Sequence, residues 1–228
     1  MTKPKLTVSK LTKQFDADVM ERHRVWLTSV LSVFKESTLV KGHFPIIHSV
    51  KSRIKDDEHL KEKIRRKLLR GDMLTEQNIL TKINDVAGIR LLHVHTKQFE
   101  EIHSLIKKQI ASKSWFYHEP PKAYTWDPES KDYYKGHGLK VEIKPTFYTS
   151  VHYVVKAKKD SPIFCEIQVR TLFEEIWGEI DHAINYPKES KDHSIVEQLR
   201  VLSKLVGAGN RLNDAVFSCL SKSENSKR

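Results

Sequence analysis

Apolar positions recur at intervals of three, four and seven from Leu11 through Phe15, Val19, Val25, Trp26, Val30, Leu31 and Phe34, which predicts helix over 8–40. A second helical stripe, Leu60, Ile64 and Leu68, runs through 57–70 and meets a stop at Gly71. A short helix is expected around 75–84, and the apolar run Val86–His95 reads as a buried strand. Residues 97–110 predict helix. Residues 112–140, with Trp115, Trp126, Pro120, Pro121 and Pro128, read as a long aromatic loop. Strands are expected at 150–157 and 163–170, with 139–143 a further candidate. Helix follows at 171–183, and 195–220 predicts a closing helix or helix pair with a break near Gly207 and Gly209. The last eight residues read as a frayed tail. The pattern is α/β (α+β): a mixed sheet of about four or five strands flanked by helices. No Pro/Gly/Ser-rich linker splits it; an N-terminal helical extension (1–40) and a C-terminal helical segment (191–228) flank a central domain at 41–190.

Charge changes the picture next. Forty Lys and Arg against 29 Asp and Glu leave a formal +11 over 228 residues, an excess that attracts polyanions. Residues 51–70 hold nine basic residues against four acidic ones, and 131–159 hold seven against two. Two basic segments flanking an apolar strand suggest a phosphate-binding cleft, although a solvated helix face would carry a similar charge run. No apolar run is long enough to span a membrane, no secretory signal is visible, and two cysteines do not make a disulfide framework. The expected compartment is the cytoplasm. Neither GxxxxGK[ST] nor GxGxxG is present, which excludes P-loop and Rossmann readings.

Alternation along 163–170 puts Glu166, Gln168 and Arg170 on one face of a strand and Cys165, Ile167 and Val169 on the other. A carboxylate, an amide and a guanidinium in a row fit either a site or a solvent-facing edge. Asp85 precedes the strand at Val86, and paired with a mid-strand carboxylate it could hold Mg²⁺, which takes few protein oxygens and completes its shell with phosphate and water. A turn cap is the other reading of Asp85. Arg90, inside an apolar strand, needs a partner or a cleft. Arg53, Lys55, Lys63 and Arg66 could together hold a triphosphate without a glycine loop. Tyr148, before a strand, could stack on a nucleobase, and His152 lies four residues on.

Read in order, the segments Arg53-Ile-Lys55, Lys63, Arg66, Asp85-Val-Ala-Gly-Ile-Arg90, Lys144, Tyr148-Thr-Ser-Val-His152 and 165–186 (CEIQVRTLFEEIWGEIDHAINY) resemble the synthetase domain of the RelA/SpoT family, in particular the small alarmone synthetases. The resemblance covers roughly 135 of 228 residues. It implies a nucleotidyltransferase-like fold and a pyrophosphokinase that moves the β,γ-diphosphate of ATP to the ribose 3′-hydroxyl of GDP or GTP, making ppGpp or pppGpp. It further implies that Arg53 and Arg90 sandwich adenine and that Lys55, Lys63 and Arg66 hold the ATP phosphates. Asp85 and Glu166 would bind Mg²⁺, with Glu166 activating the hydroxyl. Tyr148 would stack on the acceptor base, and Lys144 and His152 would meet its phosphates with Gln168 nearby.

Four features depart from the family pattern. Phe147 stands in place of the usual Gly, His59 in place of a frequent Ser, and Glu175 in place of an Asn that helps read guanine in several members; the 112–140 segment is also long. All four are expected to bear on the acceptor side. That leaves open a toxin-type relative that transfers the diphosphate to the 3′-end of tRNA, and an inactive nucleic-acid- or ribosome-binding module. A homo-oligomeric assembly or an antitoxin partner also stays open, and no membrane partner is expected.

Overall fold

The computed structural model describes residues 3–186 and 190–225. Two helices open the chain, α1 (Lys3–Thr12) and α2 (Ala17–Glu36), separated where the Asp16 carboxylate accepts the Val19 N–H and caps α2. Then follow β1 (Ser49–Ile54), α3 (Asp57–Leu69), α4 (Ile79–Lys82), β2 (Ala87–His93), α5 (Phe99–Ala111), β3 (Phe116–Thr125), α6 (Pro128–Gly136), β4 (Lys140–Ile143), β5 (Ser150–Lys156), β6 (Cys165–Thr171), α7 (Leu172–Asn185) and α8 (His193–Asn225). The six strands form one sheet in the order β1-β2-β6-β5-β3-β4. The β2–β6 and β3–β4 pairs are parallel and the rest antiparallel.

The sheet thus has one strand more than the upper expectation, and the 112–140 segment is no loop. Its first part is the strand β3, irregular in its pairing with β5 between Tyr117 and Lys122 where Pro120 and Pro121 interrupt the ladder. Its second part is α6, capped by Asp127 with Pro128 at its first turn. The helix expected over 75–84 shortens to Ile79–Lys82. The closing helix runs unbroken past Gly207 and Gly209. Helix extends to Asn225 through most of the expected frayed tail, whose final residues, 226–228, lie outside those described.

Alternation sorts the sheet into two faces. Ala87, Ile89 and Leu91 of β2, Cys165, Ile167 and Val169 of β6, and Val151, Tyr153 and Val155 of β5 are buried against Leu27, Val30 and Phe34 of α2 and Phe99, Ile102 and Ile106 of α5. At about 25 cal/mol per Å² of apolar surface, this core dominates the stability. A smaller core joins α1, α3 and residues 74–86. The opposite face of β1, β2, β6 and β5 carries the polar and charged side chains. Helix α7, opened by a Thr171–Glu174 capping box, packs against β2 and β6. Among the described residues no helix is long and apolar enough to cross a membrane.

Candidate active site

The site is assembled on the polar face of the sheet by strand register. Gly88 of β2 pairs with Arg53 on one side and Glu166 on the other, and Arg90 pairs with Lys51 and Gln168. Arg53, Arg90, Glu166 and Gln168 therefore surround Gly88, whose missing side chain leaves open space: a Cβ built there meets no atom within 4 Å. Arg53, Asp85, Gly88, Arg90, Glu166 and Gln168 line a cavity of about 270 Å³.

Asp85 stands at the edge of this cavity. Its Oδ2 accepts hydrogen bonds from Lys55 Nζ and Lys63 Nζ, each at 2.9 Å. Burial alone would raise the Asp85 carboxyl, but the Lys63 and Lys55 ammoniums outweigh it and hold the group well below the usual carboxylate range. The other oxygen, Oδ1, is buried and has no hydrogen-bond partner among the described residues. A buried, ionised carboxylate oxygen left without a donor fits a hard cation, and Glu166 supplies a second carboxylate lining the same cavity. No cluster of three or more His, Cys, Asp or Glu suited to a metal occurs among the described residues. A cation here would therefore complete its shell with phosphate and water, as Mg²⁺ does.

Glu166 also lines a second cavity, of about 320 Å³, together with Lys63, Lys122, Tyr124, Lys144, Tyr148 and His152. The two cavities meet at this carboxylate. His152 Nδ1 lies 3.1 Å from Glu166 Oε1 and its Nε2 lies 2.9 Å from the Tyr148 hydroxyl, while Gln168 Nε2 donates to Glu166 Oε2 at 2.7 Å. Burial would lower His152, but Tyr148 and Glu166 together raise it to about 9. At neutral pH the ring is thus an imidazolium donating to both neighbours. Its charge outweighs burial at Glu166 and keeps that carboxyl ionised. Lys144 lies 4.3 Å over the Tyr124 ring.

Most of the expected site residues are therefore brought together. Arg66 is set apart: its guanidinium lies 5.4 Å over Tyr186, in a third cavity shared with Lys144, Tyr148 and His182. His182 and His59 both stack on Tyr186, so the His59 departure faces α7 at the mouth of the cleft. Glu175 corrects the expectation that every departure lies on the acceptor side. It is 5% exposed and gathers Lys51 Nζ at 2.8 Å, Arg90 NH1 at 3.1 Å and Arg170 Nε at 2.8 Å, the last an ion pair without hydrogen-bond alignment. It thus braces Arg90 against α7, joined there by Glu179. Phe147 does adjoin Tyr148, in the left-handed region at φ +62°, held by Trp126 edge-on at 5.6 Å and by Arg200 at 5.7 Å.

Lys51, Gly88, Lys122, Tyr124, Glu179 and Tyr186 also line these cavities, beyond the residues expected there. Lys51 is in phase with Arg53 and was recoverable from alternation. Lys122 and Tyr124 were hidden by the loop-like composition of β3.

A family profile described as "Region found in RelA / SpoT proteins" matches residues 52–191. The chain belongs to the RelA/SpoT family. GTP pyrophosphokinase YwaC of Bacillus subtilis (strain 168) is 26% identical over 159 residues, 68% of this chain and 65% of that protein, so the chain spans just under two thirds of this relative's length. Among solved structures, small alarmone synthetase 1 from Bacillus subtilis superposes with a TM-score of 0.67 at 20% identity, covering 91% of this chain and 97% of that one. A GTP pyrophosphokinase family protein from Streptococcus pneumoniae gives 0.64 at 20% identity, covering 89% and 91%. The Bacillus synthetase bound to its product pppGpp gives 0.59 at 21% identity, covering 91% and 93%. These structural likenesses establish the shared fold.

Proposed function

We propose that this member of the RelA/SpoT family is a pyrophosphokinase that transfers the β,γ-diphosphate of ATP to the 3′-hydroxyl of GDP or GTP, releasing AMP and forming ppGpp or pppGpp. The observation that carries this reading is the junction at Glu166, where a cavity lined by Arg53, Asp85 and Arg90 meets one lined by Lys63, Lys144, Tyr148 and His152. A donor and an acceptor nucleotide, each bearing polyphosphate, would share one carboxylate between them. The family membership supports it, as do a relative named a GTP pyrophosphokinase and structural neighbours solved with pppGpp and with AMPCPP.

In this reading adenine lies over Gly88 between Arg53 and Arg90, Lys55 and Lys63 neutralise the ATP phosphates, and Arg66, turned to Tyr186, faces the third cavity. Asp85 and Glu166 would hold Mg²⁺, which when bound screens the phosphate charge and polarises the phosphoryl group. Glu166 accepts the proton of the 3′-hydroxyl as that oxygen bonds to the β-phosphorus and the bond to the α-phosphate oxygen breaks. Tyr148 stacks on the acceptor base, and Lys144 and the His152 imidazolium face its phosphates, with Gln168 fixing the orientation of Glu166. Such chemistry depends on positioning and charge stabilisation, which rigid strands and preformed ion pairs supply. Residues 41–190 would form the synthetase unit, and the cytoplasm, which supplies both nucleotides and keeps free thiols such as Cys165 and Cys219 reduced, is the proposed compartment.

A second reading keeps the same donor site and places the 3′-end of tRNA in the acceptor cavity. It is favoured by Phe147, which replaces a glycine beside the base-stacking tyrosine and narrows the loop's freedom. Purified protein with Mg²⁺ and ATP labelled at the γ-phosphate, offered GDP, GTP or deacylated tRNA separately, distinguishes the two. Label on the guanine nucleotides is the expected result; label on tRNA alone overturns the first reading in favour of the second, and no transfer to any acceptor overturns both.

A further inference from the structure

A cavity of about 200 Å³, separate from the two that meet at Glu166, opens between α6, α7 and α8 beside Phe147 and Thr149. Trp126, Tyr133, Phe147 and Trp177 form aromatic parts of its lining. Asn210, 9% exposed, turns a buried Oδ1 with no hydrogen-bond partner among the described residues, while its Nδ2 donates to Glu174 Oε1 at 3.2 Å. Glu174 is 7% exposed, and burial raises its carboxyl to about 7 against the pull of the Thr171 N–H and Arg170.

Charge at this cavity runs opposite to the net charge of the protein. In a chain of formal charge +11, its lining holds four acids, Asp127, Glu129, Glu174 and Asp214, against Lys97 and Arg211. Arg211 pairs with Asp127 at 3.3 Å, Lys97 donates to the Ser218 hydroxyl at 3.2 Å, and Asp214 accepts the Thr96 N–H at 2.7 Å, which leaves the acids in excess. Aromatic faces, a carbonyl oxygen with no donor among the described residues and an excess of acids are features that recognise an ammonium group carrying an apolar body. The volume suits one ring: an apolar cavity of about 150 Å³ accepts benzene.

We propose that this cavity binds a small organic amine and that its occupancy alters use of the acceptor. The second half rests on the transferase reading above and follows from Phe147 and Thr149, which line this cavity while the residue between them, Tyr148, lines the acceptor cavity. Other cavities also carry acids and aromatic rings, so the two variants below assign the binding to this one.

Benzylamine is titrated calorimetrically into the full chain, with benzyl alcohol as the uncharged analogue. The expected result is saturable binding of one benzylamine with a Kd at or below about 1 mM, within the range for a ligand of eight heavy atoms, and at least tenfold weaker binding of benzyl alcohol. Asn210→Leu removes the side-chain carbonyl. Gly207→Leu fills the space from α8, where an added Cβ meets Trp126 at 3.6 Å, ordinary contact, and replaces a helical glycine with a better helix former. Both variants are expected to lose at least tenfold in affinity, and Gly207→Leu to melt no lower than wild type. Absence of saturable heat, or unchanged affinity in both variants, overturns the site; equal binding of benzyl alcohol overturns the amine assignment. In the transfer assay saturating benzylamine is expected to change the acceptor KM at least threefold and leave the ATP KM in place. Unchanged acceptor kinetics overturn the regulatory half, and the binding measurements stand whichever acceptor the enzyme uses.

Discussion

Gly88→Val separates the proposed ATP site from the stability of the sheet. Gly88 is an interior residue of β2, paired with Arg53 and Glu166, and its backbone does not require glycine. A Cβ there meets nothing within 4 Å. Glycine inside a strand costs roughly 0.5–1 kcal/mol through chain entropy, so a β-branched replacement should raise stability by about that amount. If adenine lies over this residue between Arg53 and Arg90, the two new methyl groups occupy its place. A guanidinium against an aromatic ring contributes about 0.5–2 kcal/mol, so displacing the base from both costs about 1–3 kcal/mol, roughly 5- to 150-fold in ATP affinity. The assay pairs a thermal melt with separate KM values for ATP and acceptor. The expected outcome is an equal or higher Tm, an ATP KM raised within that range and an acceptor KM near wild type. A higher Tm with an unchanged ATP KM would refute the placement of the base, and a Tm lowered by several degrees would refute the open space above Gly88.

Phe147→Gly relieves left-handed backbone strain of about 1–2 kcal/mol at φ +62° and removes the contacts with Trp126 and Arg200. Stability should change by less than about 1 kcal/mol in urea unfolding, while the acceptor KM rises and the ATP KM does not. Asp85→Asn withdraws the charge shared by Lys55 and Lys63 and should abolish transfer. Lys55, 8% exposed, then loses its counter-ion, at about 3 kcal/mol read from chemical denaturation. His152, raised to about 9, contributes stability that is complete below its unfolded value near 6.5 and is lost as pH rises through 9, at most about 3 kcal/mol for a shift of this size. The stability gap between wild type and His152→Gln should therefore narrow between pH 7 and pH 10; a constant gap argues against the imidazolium. Gly178→Ala places a Cβ 2.4 Å from Arg170 NH1, a group buried beside Glu175. It should lower stability by about 1–3 kcal/mol despite the better helix former, a loss that melting would detect.

The chemistry-bearing segments were legible because each is local. Alternation along 163–170 separated Glu166 and Gln168 from the core residues Cys165, Ile167 and Val169, and the structure keeps that division. Asp85, Lys55 and Lys63 could be named as candidates from residue type and neighbourhood. Strand β3 was lost to the same local reading: two prolines and several aromatics imitate a loop, and only pairing with β4 and β5 makes 116–125 a strand.

What tertiary structure decided is which side chains meet. Glu175 was assigned to the acceptor side by its place in a motif, yet α7 packs so that it binds Lys51 and Arg90, 124 and 85 residues away in the chain. Arg66 shares a helix with Lys63 but turns to Tyr186 rather than to Asp85. Periodicity specifies the face a residue occupies, because backbone geometry repeats every 2 or about 3.6 residues. The partner across the cleft depends on strand register and helix packing, which are set by the whole core. Sequence alone therefore determined the family, the α/β class and the catalytic side chains as candidates. The joining of two cavities at Glu166, the Asp85 oxygen without a partner among the described residues and the space beside Phe147 arise only when distant elements pack together.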